Sequence, residues 1–144
     1  MLGKLRVLVV DDEPEISAMI ADFFRDRGHE TATAQNMAEA LDELRGRPAD
    51  LLITDIVYAE GPNGLELARR VRGEHPDIAI IVMTAFEEMY PLTEALQAGA
   101  DGYISKPFTL SKFSLVFEKS YWETLSRPDW WEAHAPAEKN GARR

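Results

Sequence analysis

Three stretches of the chain are almost entirely apolar, and a segment with helical periodicity follows each of them. They are VLVV at 7–10, DLLITDI at 50–56 and DIAIIVMTA at 77–85. A strand without polar alternation is buried on both faces, as happens in a parallel sheet whose helical crossovers cover both sides. The pattern therefore predicts an α/β fold with helices on both faces of the sheet.

Two weaker strands complete five β-α units. The polar stretch HETATAQN at 29–36 is typical of an edge strand, and GYIS at 102–105 predicts a short fifth strand. Apolar residues at helical spacing predict the helices, and Gly28 and Gly99 mark two helix ends. Right-handed crossovers then favour a doubly wound, flavodoxin-like, five-stranded parallel sheet in the order 2-1-3-4-5.

The predicted helices have these positions and apolar residues. The first helix has Ile16, Met19, Ile20, Phe23 and Phe24 on one face. Three further helices are predicted over 37–45, 64–74 and about 88–98. The last helix begins at Leu110 and has a core stripe of Leu110, Phe113, Phe117 and Tyr121.

Charge and composition restrict the class of partner. The chain has 25 acidic and 16 basic residues, a net charge of −9, which argues against direct contact with nucleic acid. It contains no cysteine, which excludes disulfides and thiolate metal sites. No apolar stretch reaches the ~18 residues of a membrane span, and no signal peptide is evident, so we expect a cytoplasmic protein without membrane insertion.

Polar residues follow the strands at the edge of the sheet where doubly wound folds bind ligands. Asp11 and Asp12 follow the first strand, Asp55 ends the third, Thr84 ends the fourth and Lys106 follows the fifth. Each residue alone is explained by a cap, a core hydroxyl or a surface lysine, but their convergence indicates a site. Three carboxylates repel one another, and oxygen ligands favour Mg²⁺ or Mn²⁺. A carboxylate beside such a cation can act as a nucleophile toward phosphorus.

In order and spacing, these residues resemble the receiver domain of bacterial two-component response regulators. VLVVDDEPE, DLLITDI, IIVMTAF and ALQAGADGYISKPF carry the resemblance, over about residues 4–120. It implies a switch that takes a phosphoryl group from a sensor histidine kinase or a histidine phosphotransfer protein. The face made by helix 4, strand 5 and helix 5 would then bind a downstream protein target. Such a protein is a monomer or a phosphorylation-dependent dimer, and catalyses only its own phosphorylation and dephosphorylation.

The resemblance also implies roles for the acidic residues. Asp55 would be the phosphoacceptor. Asp12 would bind Mg²⁺ directly and Asp11 mainly through water, while Asp55 and the backbone carbonyl of Val57 would be further ligands.

Other residues would bind or respond to the phosphoryl group. Lys106 would pair with the phosphate, and Thr84 with the amide of Ala85 would hold phosphoryl oxygens. Thr84 and Tyr103 would form the switch. The peptide bond between Lys106 and Pro107 is expected to be cis, a form common only before proline.

Two features depart from the family pattern. The loop DIVYAEGPNG has Tyr58-Ala59 where the family usually has Met-Pro, and Gly64 comes one residue later than usual. Because of this longer loop, which contains Glu60, a receiver-like docking module that is not phosphorylated remains an alternative. The second departure is Phe86, two residues after Thr84, which we expect to shield an acyl phosphate from water.

The sequence predicts a receiver domain over 1–125 and a tail over 126–144, partly disordered or packed back. Trp130-Trp131 in that tail either covers the domain or binds a partner. A receiver fragment of a larger regulator stays open. A phosphohydrolase is disfavoured because Asp-x-Asp and a cap are missing, and a flavodoxin-like cofactor binder because DDEPE offers no phosphate-cradling loop.

Overall fold

The computed structural model describes residues 3–59 and 61–125. Strands and helices alternate along the chain: β1 (Arg6–Val10), α1 (Pro14–Arg25), β2 (Glu30–Ala34), α2 (Met37–Gly46), β3 (Leu51–Asp55), α3 (Gly64–Glu74), β4 (Ala79–Thr84), α4 (Leu92–Gln97), β5 (Gly102–Ser105) and α5 (Leu110–Leu125). The strands form one parallel sheet in the order β2-β1-β3-β4-β5, so the predicted fold and strand order are confirmed.

The register of the sheet aligns the carboxyl ends of its central strands. Val10 pairs with Thr54, and Asp55 with Met83. β3 and β4 are buried along their whole length. The residues that follow these strands therefore emerge at one edge, beside one another.

Helices cover both faces of the sheet, and the two cores differ in composition. Alternate residues of a strand point to opposite faces, so Val7 and Val9 contact one core while Leu8 and Val10 contact the other. The core beneath α1 and α5 contains a group of phenylalanines in edge-to-face contact: Phe23, Phe24, Phe113 and Phe117. The core beneath α2, α3 and α4 is mainly leucine, isoleucine, valine and alanine.

Two details of the helix prediction were wrong. α4 begins at Leu92 rather than near 88, because Pro91 lies at its N-cap and disfavours a helical conformation for Tyr90. Leu110 does not belong to the core stripe of α5, since it is 39% exposed at the first residue of that helix. It lines the groove between α1 and α5.

The end of the chain stays a prediction. Trp130-Trp131 and the rest of 126–144 lie outside the described residues, and the domain limits at 125 are untested. Within residues 3–59 and 61–125, no helix has the length and apolar character needed to cross a membrane.

Candidate functional site

Three carboxylates meet where β1 and β3 end. One carboxylate oxygen from each of Asp11, Asp12 and Asp55 lies within 4.8 Å of the other two. Asp11 is 2% exposed and Asp55 7%, whereas Asp12 is half-buried. The strand register brings these predicted residues together, although 44 positions separate Asp11 from Asp55.

Lys106 reaches into this cluster from the loop after β5. Its Nζ donates to Asp11 Oδ2 at 2.8 Å, Glu13 Oε1 at 2.9 Å and Asp55 Oδ2 at 3.2 Å. The Lys106–Pro107 peptide bond is cis, as expected. Glu13 was not among the predicted site residues, and the only signal for it was its place as the third of three consecutive acidic residues.

The buried carboxylates Asp11 and Asp55 and the Lys106 ammonium group have shifted pKa values. Burial, followed by the charge of Asp11, raises the pKa of Asp55 to about 6 despite the contact with Lys106. Burial also raises the pKa of Asp11. Burial disfavours the ammonium form of Lys106, but its hydrogen bonds to Asp11 and Glu13 outweigh burial and raise its pKa.

The donor set suits a hard divalent cation. Every side chain of the cluster offers carboxylate oxygens, which Mg²⁺ and Mn²⁺ prefer, and the cluster carries an excess of negative charge. The residues present thus fit the predicted cation, and Asp11, Asp12 and Asp55 are the side chains that would hold it. The side chain of Val57, whose carbonyl was predicted as a further ligand, is exposed.

The loop between β3 and α3 is bonded to the cluster. The backbone N–H of Ala59 donates to Asp12 Oδ2 at 2.6 Å. The Tyr58 side chain is buried, and its hydroxyl contacts the hydroxyl of Thr54. Gly64, which begins α3, approaches the Asp55 carbonyl so closely that a Cβ would lie 1.9 Å from that oxygen. The contacts of Tyr58 and Ala59 were not predicted, because they depend on where the longer loop folds.

The predicted phosphoryl-binding residues lie at or just after the ends of β4 and β5, whereas the predicted switch residue Tyr103 lies within β5. Thr84 is fully buried, and its Oγ1 accepts the Phe86 N–H at 2.8 Å. Ala85 and Lys106 line a common hollow beside α1. Tyr103 lies on β5, and its hydroxyl donates to the Tyr90 carbonyl at 2.6 Å rather than to Thr84.

Known proteins resemble this chain in sequence. The family model of the response regulator receiver domain matches residues 7–117. The nitrogen assimilation regulatory protein NtrX of Azorhizobium caulinodans is 32% identical over 121 residues, which are 83% of this chain and 26% of that protein. The phosphate regulon transcriptional regulatory protein PhoB of Pseudomonas aeruginosa is 40% identical over 111 residues, 76% of this chain and 48% of that protein.

A solved structure gives the same result. The receiver domain of NtrX from Brucella abortus superposes with a TM-score of 0.72 at 31% identity, covering 81% of this chain and 98% of that one. The chain spans only about a quarter of the length of the Azorhizobium relative and about half that of the Pseudomonas relative.

Proposed function

The chain belongs to the family of response regulator receiver domains, and we propose that it is a switch set by phosphorylation of Asp55. One observation carries this proposal. The Asp55 carboxylate lies 3.2 Å from the Lys106 ammonium and within metal-sharing distance of Asp11 and Asp12. A carboxylate that could accept a phosphoryl group, a positive charge beside it and oxygens that could bind a cation support the proposal.

In the proposed reaction, a carboxylate oxygen of Asp55 forms a bond to phosphorus. The bond from phosphorus to the imidazole nitrogen of a phosphohistidine donor breaks, and that nitrogen takes up a proton from solvent. Asp55 has to be ionised to attack, which its pKa of about 6 allows at neutral pH. The Lys106 ammonium group would pair with the phosphoryl oxygens as they gain negative charge. The Thr84 hydroxyl and the Ala85 amide would bind these oxygens as well.

Mg²⁺ or Mn²⁺ would be held by Asp11, Asp12, Asp55 and the carbonyl of Val57. When bound, the cation supplies positive charge for the phosphoryl oxygens. The chain's own part is to keep these oxygens close together, because β1 and β3 are paired, mostly buried strands.

We propose that the signal leaves the site through Thr84. Turning its hydroxyl toward a phosphoryl group would break its bond with the Phe86 N–H and release the loop that Tyr103 holds through Tyr90. The equilibrium between two conformations of the face made by α4, β5 and α5 would then shift, and the favoured conformation would bind a downstream protein target. The donor would be a sensor histidine kinase or a phosphotransfer protein, and the receiver itself a monomer or a phosphorylation-dependent dimer that makes no direct contact with nucleic acid.

The test is an intact-mass measurement after incubation with Mg²⁺ and acetyl phosphate. The wild type should gain one phosphoryl group, and neither Asp55→Asn nor protein in EDTA should gain one. Asp26→Asn, which changes an exposed carboxylate on the end of α1, should behave as the wild type. Failure of the wild type with acetyl phosphate and with a phosphohistidine donor would favour a docking module that is not phosphorylated.

A further inference from the structure

The Ala59 N–H is an outer-shell partner of a candidate metal ligand. It donates to Asp12 Oδ2 at 2.6 Å and so joins the segment after β1 to the loop after β3. Carboxylates that bind metals are commonly held by such hydrogen bonds, which orient them and tune affinity. Each carboxylate oxygen has more than one acceptor site, so this bond is compatible with cation binding by Asp12.

Tyr58 holds the segment that carries this donor. Tyr58 as a whole is 7% exposed and packs in the core beneath α2 and α3, although the neighbouring residues Val57 and Ala59 are exposed. Its hydroxyl contacts Thr54 Oγ1, and Thr54 Oγ1 donates to the Asp55 carbonyl at 2.8 Å. Because the single hydroxyl proton of Thr54 is used in that bond, Tyr58 is the donor to Thr54.

We propose that Tyr58 and Ala59 are positioning residues that hold Asp12 in the orientation needed for cation binding. The inference rests on the proposed function, since it concerns the same cation. It also gives a role to the departure from Met-Pro: proline has no N–H to donate, and methionine has no hydroxyl to reach Thr54. The longer loop of this chain would therefore support its metal site with bonds that the usual residues cannot form.

The test measures Mn²⁺ affinity of the unphosphorylated protein, by electron paramagnetic resonance of free Mn²⁺. Tyr58→Phe keeps the ring and removes the hydroxyl, and Ala59→Pro removes the N–H. We expect each to weaken Mn²⁺ binding by about tenfold, which is at the low end of the losses in metal affinity seen when a hydrogen-bond partner of a metal ligand is removed. Ala59→Ser keeps the N–H, and Tyr121→Phe removes a hydroxyl on α5, so both should bind as the wild type does.

A second readout separates positioning from a general loss of stability. Amide hydrogen exchange of Ala59 should be slow in the wild type and faster in Tyr58→Phe and Asp12→Ala. If Tyr58→Phe has a lower Tm but the wild-type Mn²⁺ affinity and Ala59 protection, the role of Tyr58 is structural and the inference is wrong. Should Ala59→Pro fail to fold, Tyr58→Phe decides the matter.

The two proposals fail in different ways. A wild type that binds no Mn²⁺ would overturn the cation part of the proposed function and this inference with it. A wild type that binds Mn²⁺, with Tyr58→Phe and Ala59→Pro binding it equally well, would overturn only the inference.

Discussion

Two partly buried ion clusters lie at opposite edges of the same sheet, and they differ in charge balance. At the amino edge, Arg72 of α3 donates to Asp101 Oδ2 at 2.8 Å, and Asp101 also accepts the Ile80 N–H at 2.9 Å. The guanidinium further donates to the backbone carbonyls of Pro76, Ile78 and Gly99. The planar guanidinium thus satisfies the Asp101 carboxylate and several carbonyls at fixed positions, and we call this pair of opposite charges the balanced cluster.

At the carboxyl edge, one ammonium group meets three carboxylates. Lys106 contacts Asp11, Glu13 and Asp55, and Asp12 lies beside them. Burial, followed by the charge of Asp11, raises the pKa of Asp55 to about 6. We expect the balanced cluster to stabilise the fold, whereas the unbalanced one costs stability and leaves charge available for a cation.

The largest expected effect is at the balanced cluster. Arg72→Met keeps much of the aliphatic stem but leaves Asp101 and several carbonyls without their guanidinium partner. We expect the free energy of unfolding to fall by about 3 kcal/mol, measured by urea denaturation. Arg70→Met is the matched control on the same helix, because the Arg70–Glu74 pair is more than half exposed and should change stability by less than about 0.5 kcal/mol. Equal losses in both variants would contradict the comparison.

At the unbalanced cluster we expect the opposite sign. Asp55→Asn removes a charge from the repelling carboxylates, and without metal it should raise the free energy of unfolding by about 2 kcal/mol near pH 8. The native pKa of Asp55, about 6, lies above its pKa in the unfolded state. Between about pH 6 and pH 4, the native state therefore binds more protons than the unfolded state. The wild type should therefore gain stability as the pH falls through about 6 and approach the variant near pH 4.

Urea denaturation of both proteins across this pH range, in EDTA, measures the difference. Asp26→Asn should differ from the wild type by less than about 0.5 kcal/mol throughout. A variant less stable than the wild type near pH 8 would show that Lys106 already compensates the charge of Asp55.

The smallest expected effect concerns water at the unbalanced edge. Phe86 is 51% exposed and lies two residues after Thr84, next to the proposed phosphoryl site. If its ring limits the access of water, Phe86→Ala should shorten the half-life of phosphorylated Asp55 by up to about tenfold. Mass spectrometry over time measures this, and Phe86→Leu should keep most of the protection. An equal or longer half-life in Phe86→Ala would sink the shielding hypothesis.

Both errors in the helix prediction arose because it relied on the spacing of apolar residues along a single helix. The helix predicted over 88–98 begins at Leu92, because the effect of Pro91 on Tyr90 outweighed the apolar spacing. Leu110 matched the stripe of α5 but lies in a groove between helices, where spacing along one helix carries no information.

The order of the strands and the central residues of the site could be predicted from the sequence. Unbroken apolar runs have to be buried on both faces, and parallel strands bring their carboxyl ends to one edge, so Asp11, Asp12, Asp55 and Lys106 could be placed together from their positions alone.

The hydrogen bonds between these groups could not be predicted from the sequence and became known from the folded structure. Lys106 contacts Glu13 as well as Asp11 and Asp55. The Ala59 N–H donates to Asp12, and the Tyr58 hydroxyl contacts the hydroxyl of Thr54. These contacts depend on the course of two loops and on distances of a few tenths of an ångström. Periodicity specifies which face of a strand or helix a residue occupies, but not which atoms of two separate loops come within hydrogen-bond distance.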